Sequence, residues 1–160
     1  FFGIVAVVLY FVATFAILFS GVYPRGLYDI VLGYLRWNAN VSGYLYSLYD
    51  AYPPFATDQQ PYPLAVAVSY PAQSSRLLNF PFFGWLIRFL LLLPHFVVVM
   101  FLGLALVIVV FIARFAILFT GSFPAGMHRF SVGVLRWSTR IQAYTSGLTD
   151  RYPPFRLQDP

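Results

Sequence analysis

Along the chain, long apolar runs alternate with segments whose apolar positions recur at helical spacing. Residues 1–20, FFGIVAVVLYFVATFAILFS, carry no charge, and residues 96–119 carry one, Arg114. Twenty helical residues at about 1.5 Å each reach roughly 30 Å, the thickness of a bilayer's hydrocarbon core. Both runs are therefore predicted as membrane helices. Each leads through a glycine and a proline, Gly21 and Pro24 or Gly121 and Pro124, into a segment of different period. There Phe130, Val134, Trp137, Ile141, Tyr144 and Leu148 recur at spacings of four and three, drawing one apolar stripe along a helix over 125–149. Ile30, Tyr34, Trp37, Val41, Tyr44 and Leu48 repeat that stripe earlier in the chain.

At 100° per residue, Arg129, Arg136 and Arg140 fall within about 40° of one another, away from the stripe. A helix with arginines on one face and Trp37 or Trp137 on another is expected to lie in a membrane interface, its cations toward lipid headgroups. Spanning would set Arg136 near mid-bilayer at a cost of about 3 kcal/mol. Residues 82–93 are apolar but too few to span, so an interfacial or re-entrant helix is expected there, with Arg88 snorkelling to headgroups. The alternative is a tight helical hairpin turning at Pro94. Upstream, Leu64, Val66 and Val68 alternate with small residues between prolines, as either an extended strand or a linker without a partner strand.

The two halves are copies. Aligned at an offset of 100 without a gap, residues 11–55 match residues 111–155 at 21 of 45 positions, including LRW at 35–37 and 135–137 and YPPF at 52–55 and 152–155. So long a gapless match marks a duplicated unit. The second copy has a lead-in over 61–95 without an equivalent in the first, and a corresponding segment is expected before Phe1. Small residues recur every four positions in both copies, as Ala39, Gly43 and Ser47 and as Thr139, Ala143 and Gly147. Such rows let helices approach closely in lipid, and they are expected to pack one copy against the other or against a partner.

Composition narrows the function. The chain is 60% apolar and 9% charged, against about a quarter charged in soluble domains. No basic n-region precedes residues 1–20, so a cleavable signal peptide fits them poorly. Without cysteine, disulfides, thiolate metal sites and cysteine nucleophiles are excluded. The net charge of +5 is modest and comes with no nucleic-acid-binding module. The five carboxylates, Asp29, Asp50, Asp58, Asp150 and Asp159, form no pair at helical spacing, and no phosphate loop or nucleophile elbow occurs. Asp50 and Asp150 are expected to bond a nearby arginine, Arg36 or Arg136. His95 and His128 are expected as packing or interfacial residues rather than ligands of a cofactor, and no cofactor or catalytic residue is expected.

SYPAQSSRLLNFPFFGWLIRFLLLLPHFVVV, FAILFTGSFPAGMHRFSVGVLRWSTRIQAY and DRYPPF resemble the DUF4389 family of bacterial membrane proteins, and the first copy resembles its FAILFSGVYPRG, LRW and YPPF portions again. The resemblance implies a bacterial membrane and carries no activity with it. Together these readings give an all-α integral membrane protein of two tandem repeats, residues 1–60 and 61–160. Each has a transmembrane helix, a Pro-Gly turn and an interfacial amphipathic helix, with a short extended segment between copies. In the second, the membrane helix covers 96–119 and the amphipathic helix 125–149. Arginines after the last membrane helix predict a cytoplasmic C-terminus, and, were both copies to point the same way, a cytoplasmic 21–61 as well. The expected role is a non-catalytic accessory subunit packing against partner membrane proteins, on anionic lipid. The alternative is handling of lipid or another hydrophobic ligand between the repeats.

Overall fold

A computed structural model describes residues 2–55, 64 and 66–158 of the chain. The 60/61 repeat boundary, Asp58, Asp159 and three residues of the alternating segment (Tyr62, Pro63 and Ala65) lie outside the described residues. Four helices form, α1 over Phe2–Ser20, α2 over Arg25–Leu45, α3 over Phe83–Thr120 and α4 over Ala125–Thr145. Among the described residues there is no strand. Among the described residues, two helices are long and apolar enough to cross a membrane, Gly3–Ser20 and Phe83–Thr120.

The turns after α1 and α3 are built alike. Gly21 at φ 72° and Gly121 at φ 70° enter the left-handed region that glycine tolerates, and their amides bond Ile17 O and Ile117 O, each at 2.8 Å. Pro24 and Pro124 then cap α2 and α4, their fixed φ and missing N–H suiting an N-terminal position. The far ends of α2 and α4 also close alike. The amides of Ser47 and Leu48 bond Tyr44 O and Gly43 O at 2.9 and 3.0 Å, and those of Gly147 and Leu148 bond Tyr144 O and Ala143 O at 3.2 and 3.1 Å. This is a Schellman closure with a left-handed residue just past the helix, Ser47 at φ 59° or Gly147 at φ 70°. Ser47 and Gly147 thus leave the expected small-residue rows, and α4 stops at Thr145 rather than 149.

α3 runs unbroken through Pro94, so the expected division into a short interfacial helix and a separate membrane helix does not hold. Proline costs one backbone bond and pushes at the carbonyl four residues back, but neighbouring groups in a packed apolar setting absorb this. Here the Tyr152 hydroxyl donates to Leu91 O at 2.9 Å, one residue from the carbonyl that Pro94 leaves without its usual partner. The alternating segment is extended without being a strand. It straps α2, whose side chains hold its carbonyls: Tyr28 donates to Val68 O at 3.0 Å and Arg36 to Val66 O at 3.3 Å.

Packing joins α1 to α2, α2 to α4 and α4 to α3. Within each hairpin the helices are antiparallel, as the short turns require. The two hairpins are antiparallel as well. Leu48, after α2, is buried with Val132 and Val134 near the start of α4, while Leu148, after α4, is buried with Tyr28 and Val31 near the start of α2. Because α1, α2, α4 and α3 alternate in direction, the Gly21 and Gly121 turns lie at opposite ends of the molecule. The condition that both copies point the same way is therefore not met.

The expected apolar stripe of α4 is an interior face. Val134, Trp137, Ile141, Tyr144 and Leu148 are all buried, against α3 and the first hairpin. Ala39 and Ala143 lie in one core cluster, which puts a small residue of each copy at the α2–α4 seam.

Candidate functional site

One cation is fully enclosed. Arg88 projects from the first half of α3, has 0% exposure, and uses all five of its N–H donors. Nε donates to Leu78 O at 3.0 Å; Nη1 to Tyr144 O at 2.6 Å and Thr149 O at 3.1 Å; Nη2 to Asn79 Oδ1 at 3.1 Å and Asp150 Oδ1 at 2.5 Å. The Tyr144 ring lies 4.6 Å from the guanidinium carbon. Asp150 in turn accepts from the Ser75 amide at 2.6 Å and from Asn79 Nδ2 at 3.3 Å.

This corrects two expectations. Arg88 does not reach headgroups, and Asp150 pairs with Arg88 rather than with Arg36 or Arg136. A guanidinium in an apolar helix is cheapest where its charge and every donor are matched, and the loop over 74–80 and the end of α4 supply the matches. Arg114, the remaining charge of the long helix, is matched too: Nη2 donates to Leu45 O at 2.7 Å and Nε to Ser47 Oγ at 3.2 Å, capping α2 from the other copy.

Below Arg88 on α3, His95 is buried and accepts at Nδ1 from Trp137 Nε1 at 3.0 Å. Its ring stacks on Phe155 at 3.8 Å, so YPPF of the second copy folds back onto the Trp of LRW. In the first copy Phe55 stacks directly on Trp37 at 5.6 Å. Trp137 is thus an interior residue, contrary to its expected interfacial position, while Trp37 is half-buried. Of the arginine face, Arg129 is exposed and Arg136 half-buried; Arg140 donates to Arg156 O at 2.5 Å and Gln158 O at 3.3 Å. Gly43 lies under Tyr49, whose ring is 2.7 Å from the place a Cβ would take, and Thr139 is half-buried with its hydroxyl on Leu135 O.

Between the hairpins lies a cleft of about 800 Å³. α1 lines it with Ala6, Tyr10, Phe11 and Thr14, α2 with Val31, Tyr34 and Leu35, and α4 with Ile141, Gln142, Thr145 and Ser146. Phe80, Phe82, Trp85, Leu86 and Phe96 complete the wall, with Phe11 and Phe82 in edge contact at 5.1 Å. Among the described residues no charged side chain lines it. The hydroxyls of Thr14, Thr145 and Ser146 are turned onto carbonyls of their own helices, Phe11 O, Ile141 O and Gln142 O. Gln142 lines it too, its Oε1 accepting from Asn38 at 3.1 Å, as do the phenols Tyr10 and Tyr34.

A family model for DUF4389, a domain of unknown function, matches residues 1–57 and 84–156. The chain belongs to the DUF4389 family. Comparison with curated proteins and with solved structures gives no match. The DUF4389 match takes in all of α1, α2 and α4 and nearly all of α3. Arg88, His95, Asp150 and both YPPF stretches fall inside it, whereas Asn79, Ser75, Phe80 and Phe82 fall between its two parts. The DUF4389 chain therefore takes two residues of its cleft wall, Phe80 and Phe82, and two of the five acceptors around Arg88, Leu78 O and Asn79 Oδ1, from a segment outside the match. Sequence reading counts residues 69–83 with the DUF4389-like stretch but gives them no role in a site. The available signal was Arg88 itself, since a cation in an apolar helix implies a buried partner.

Proposed function

We propose that this chain is a membrane-embedded, non-catalytic protein that holds one hydrophobic ligand, a lipid or a comparable long-chain molecule, in the cleft between its hairpins. The cleft carries the reading. Its volume is that of an ordinary ligand pocket, its walls come from both copies, and its lining is mainly apolar and aromatic, with neutral polar groups only, the amide of Gln142 among them. Such a lining suits an aliphatic or isoprenoid chain and offers no charged group for general acid–base work. The membrane setting is supported by how little of the two long helices the protein itself covers. Only 22% and 17% of their apolar windows are buried, whereas the core helix of a soluble protein is mostly covered. Because α4 packs lengthwise on α3, both enter the bilayer together, and Arg129, exposed near the start of α4, provides the contact with anionic lipid. The host is a bacterial cell membrane.

The accessory-subunit role loses its first support, because the small-residue rows are largely used within the chain: Ala39 with Ala143, Gly43 under Tyr49, and Gly147 against Asn79 and Tyr10. The test is a titration of delipidated protein in mild detergent with a fluorescent single-chain lipid. Saturable uptake of one molecule per chain, lost in Thr145→Trp, is expected. Uptake that rises linearly without saturation, or is unchanged in Thr145→Trp, would overturn the proposal.

A further inference from the structure

Phe82, just ahead of α3, has φ 64° and ψ −55°. Across it the Phe83 amide donates to Pro81 O at 2.8 Å. Residues 81–83 thus form a γ-turn with its central residue at positive φ, the rarer and strained of the two γ forms. Glycine takes this conformation freely; an aromatic L-residue does not. Two anchors impose it. Asn79, on one side, is held in the Arg88 cage. On the other side α3 begins hard against the same loop. A Cβ on Gly84 would stand 2.5 Å from Leu78 O, the oxygen to which Arg88 Nε also donates at 3.0 Å. Burial does not repay the strain, since Phe82 is 72% exposed. Its ring lines the cleft instead and meets Phe11 of α1 edge-on at 5.1 Å. A ring that is exposed on one side and part of the cleft wall on the other stands at the mouth.

From this strained turn we infer that Phe82 is the gate of the cleft. Its ring, in contact with Phe11 of the other hairpin, closes the mouth, and a flip of the 81–82 peptide carries it aside when a ligand enters or leaves. Leaving the positive-φ region relieves the strain while the ring contact is lost, two changes of opposite sign. The anchors stay in place during the flip, because Leu78, Gly84 and Arg88 hold one another without help from the Phe82 ring. Strain confined to one residue between fixed neighbours makes a local two-state element, and its position decides what the two states do. Here the position is the seam between the hairpins, where only α1 faces the ring. The inference rests on the ligand reading of the cleft and adds the route by which the ligand passes.

The experiment follows the fluorescent single-chain lipid into and out of the full chain in mild detergent by stopped flow, beside the equilibrium titration. Phe82→Ala removes the ring and keeps a side chain at positive φ; Phe82→Gly removes ring and strain together. Phe82 is exposed, so both variants are expected to fold. A gate speeds association and dissociation alike in both variants, each about tenfold or more, and changes the dissociation constant less than about threefold. The strain makes Phe82→Gly melt above Phe82→Ala, because alanine is penalised at positive φ and glycine is not. Unchanged rates would overturn the inference. So would faster dissociation alone with a matching loss of affinity, which marks an ordinary wall residue, or Phe82→Ala melting at or above Phe82→Gly. Wild-type uptake that never saturates is the separate failure of the ligand reading, and the gate falls with it.

Discussion

Leu48 belongs to the core of the second hairpin, and Leu148 to the core of the first. Each is the residue just after a Schellman closure, where the chain leaves its helix and turns back. A hydrophobic residue at that position ordinarily packs on its own helix. Here each crosses to the other copy, and the exchange makes neither hairpin's core complete alone.

Leu148 is fully buried among Ala13, Ile17, Tyr23 and Leu35 of the first hairpin. Truncating Leu148→Ala removes contacts from a site whose surroundings are held by two helices, and a cost of about 2–5 kcal/mol is expected. The informative readout is where the damage appears. Hydrogen exchange should quicken in α1 and α2 more than in α4, and Leu48→Ala should reverse the pattern. Exchange changes confined to the mutated copy would refute reciprocal packing.

Arg88 and Asp150 form the second joint. Asp150→Asn keeps an acceptor for the Ser75 amide but leaves the guanidinium charge buried and unpaired, and about 3–5 kcal/mol of stability is expected to go. Arg88→Leu leaves the carboxylate and three carbonyls without their donor. Because both substitutions break the same pair, the double variant Arg88→Leu with Asp150→Asn should cost clearly less than the sum of the single changes. Thermal unfolding of the three variants in one detergent measures this. Strict additivity would mean that the pair is not coupled.

The helices and their glycine–proline turns were legible because their determinants are local: a run of apolar residues, a glycine free to take positive φ, a proline without an N–H. What failed was everything set by distance. Arg88 read as a headgroup contact because its partner, Asp150, stands 62 positions away. Pro94 read as a break because the packing that surrounds the helix there, Trp137, Ile141 and Tyr144 against Leu92, comes from α4. Trp137 and its stripe read as lipid-facing because periodicity tells which residues share a face, not what covers that face. The duplication was plain at an offset of 100, but sequence identity between copies carries no information about their relative direction. The cleft was invisible for the same reason, since its walls come from four separate stretches.

Relative direction leads to the last prediction. α1 and α2 are antiparallel, as are α2 and α4, and α4 and α3, so α1 and α3 run oppositely and the Gly21 and Gly121 turns stand at opposite ends. In a bilayer that arrangement is an inverted repeat, the kind that creates a site between halves at membrane depth. The native sequence has no cysteine, so single cysteines can be placed without background. Val22→Cys and Ser122→Cys, one in each turn, are exposed positions whose side chains make no core contact. With a membrane-impermeant maleimide on intact right-side-out vesicles, one should label and the other only after permeabilisation. The outcome bears on charge as well. Arg25 and Arg76 lie by the Gly21 turn and Arg129 by the Gly121 turn, so an inverted repeat divides its arginines between the two surfaces and weakens the positive-inside signal that a same-way arrangement would concentrate on one. Labelling of both turns from the same side would require the hairpins to be parallel, and would be incompatible with Leu48 and Leu148 each reaching the start of the other copy's amphipathic helix.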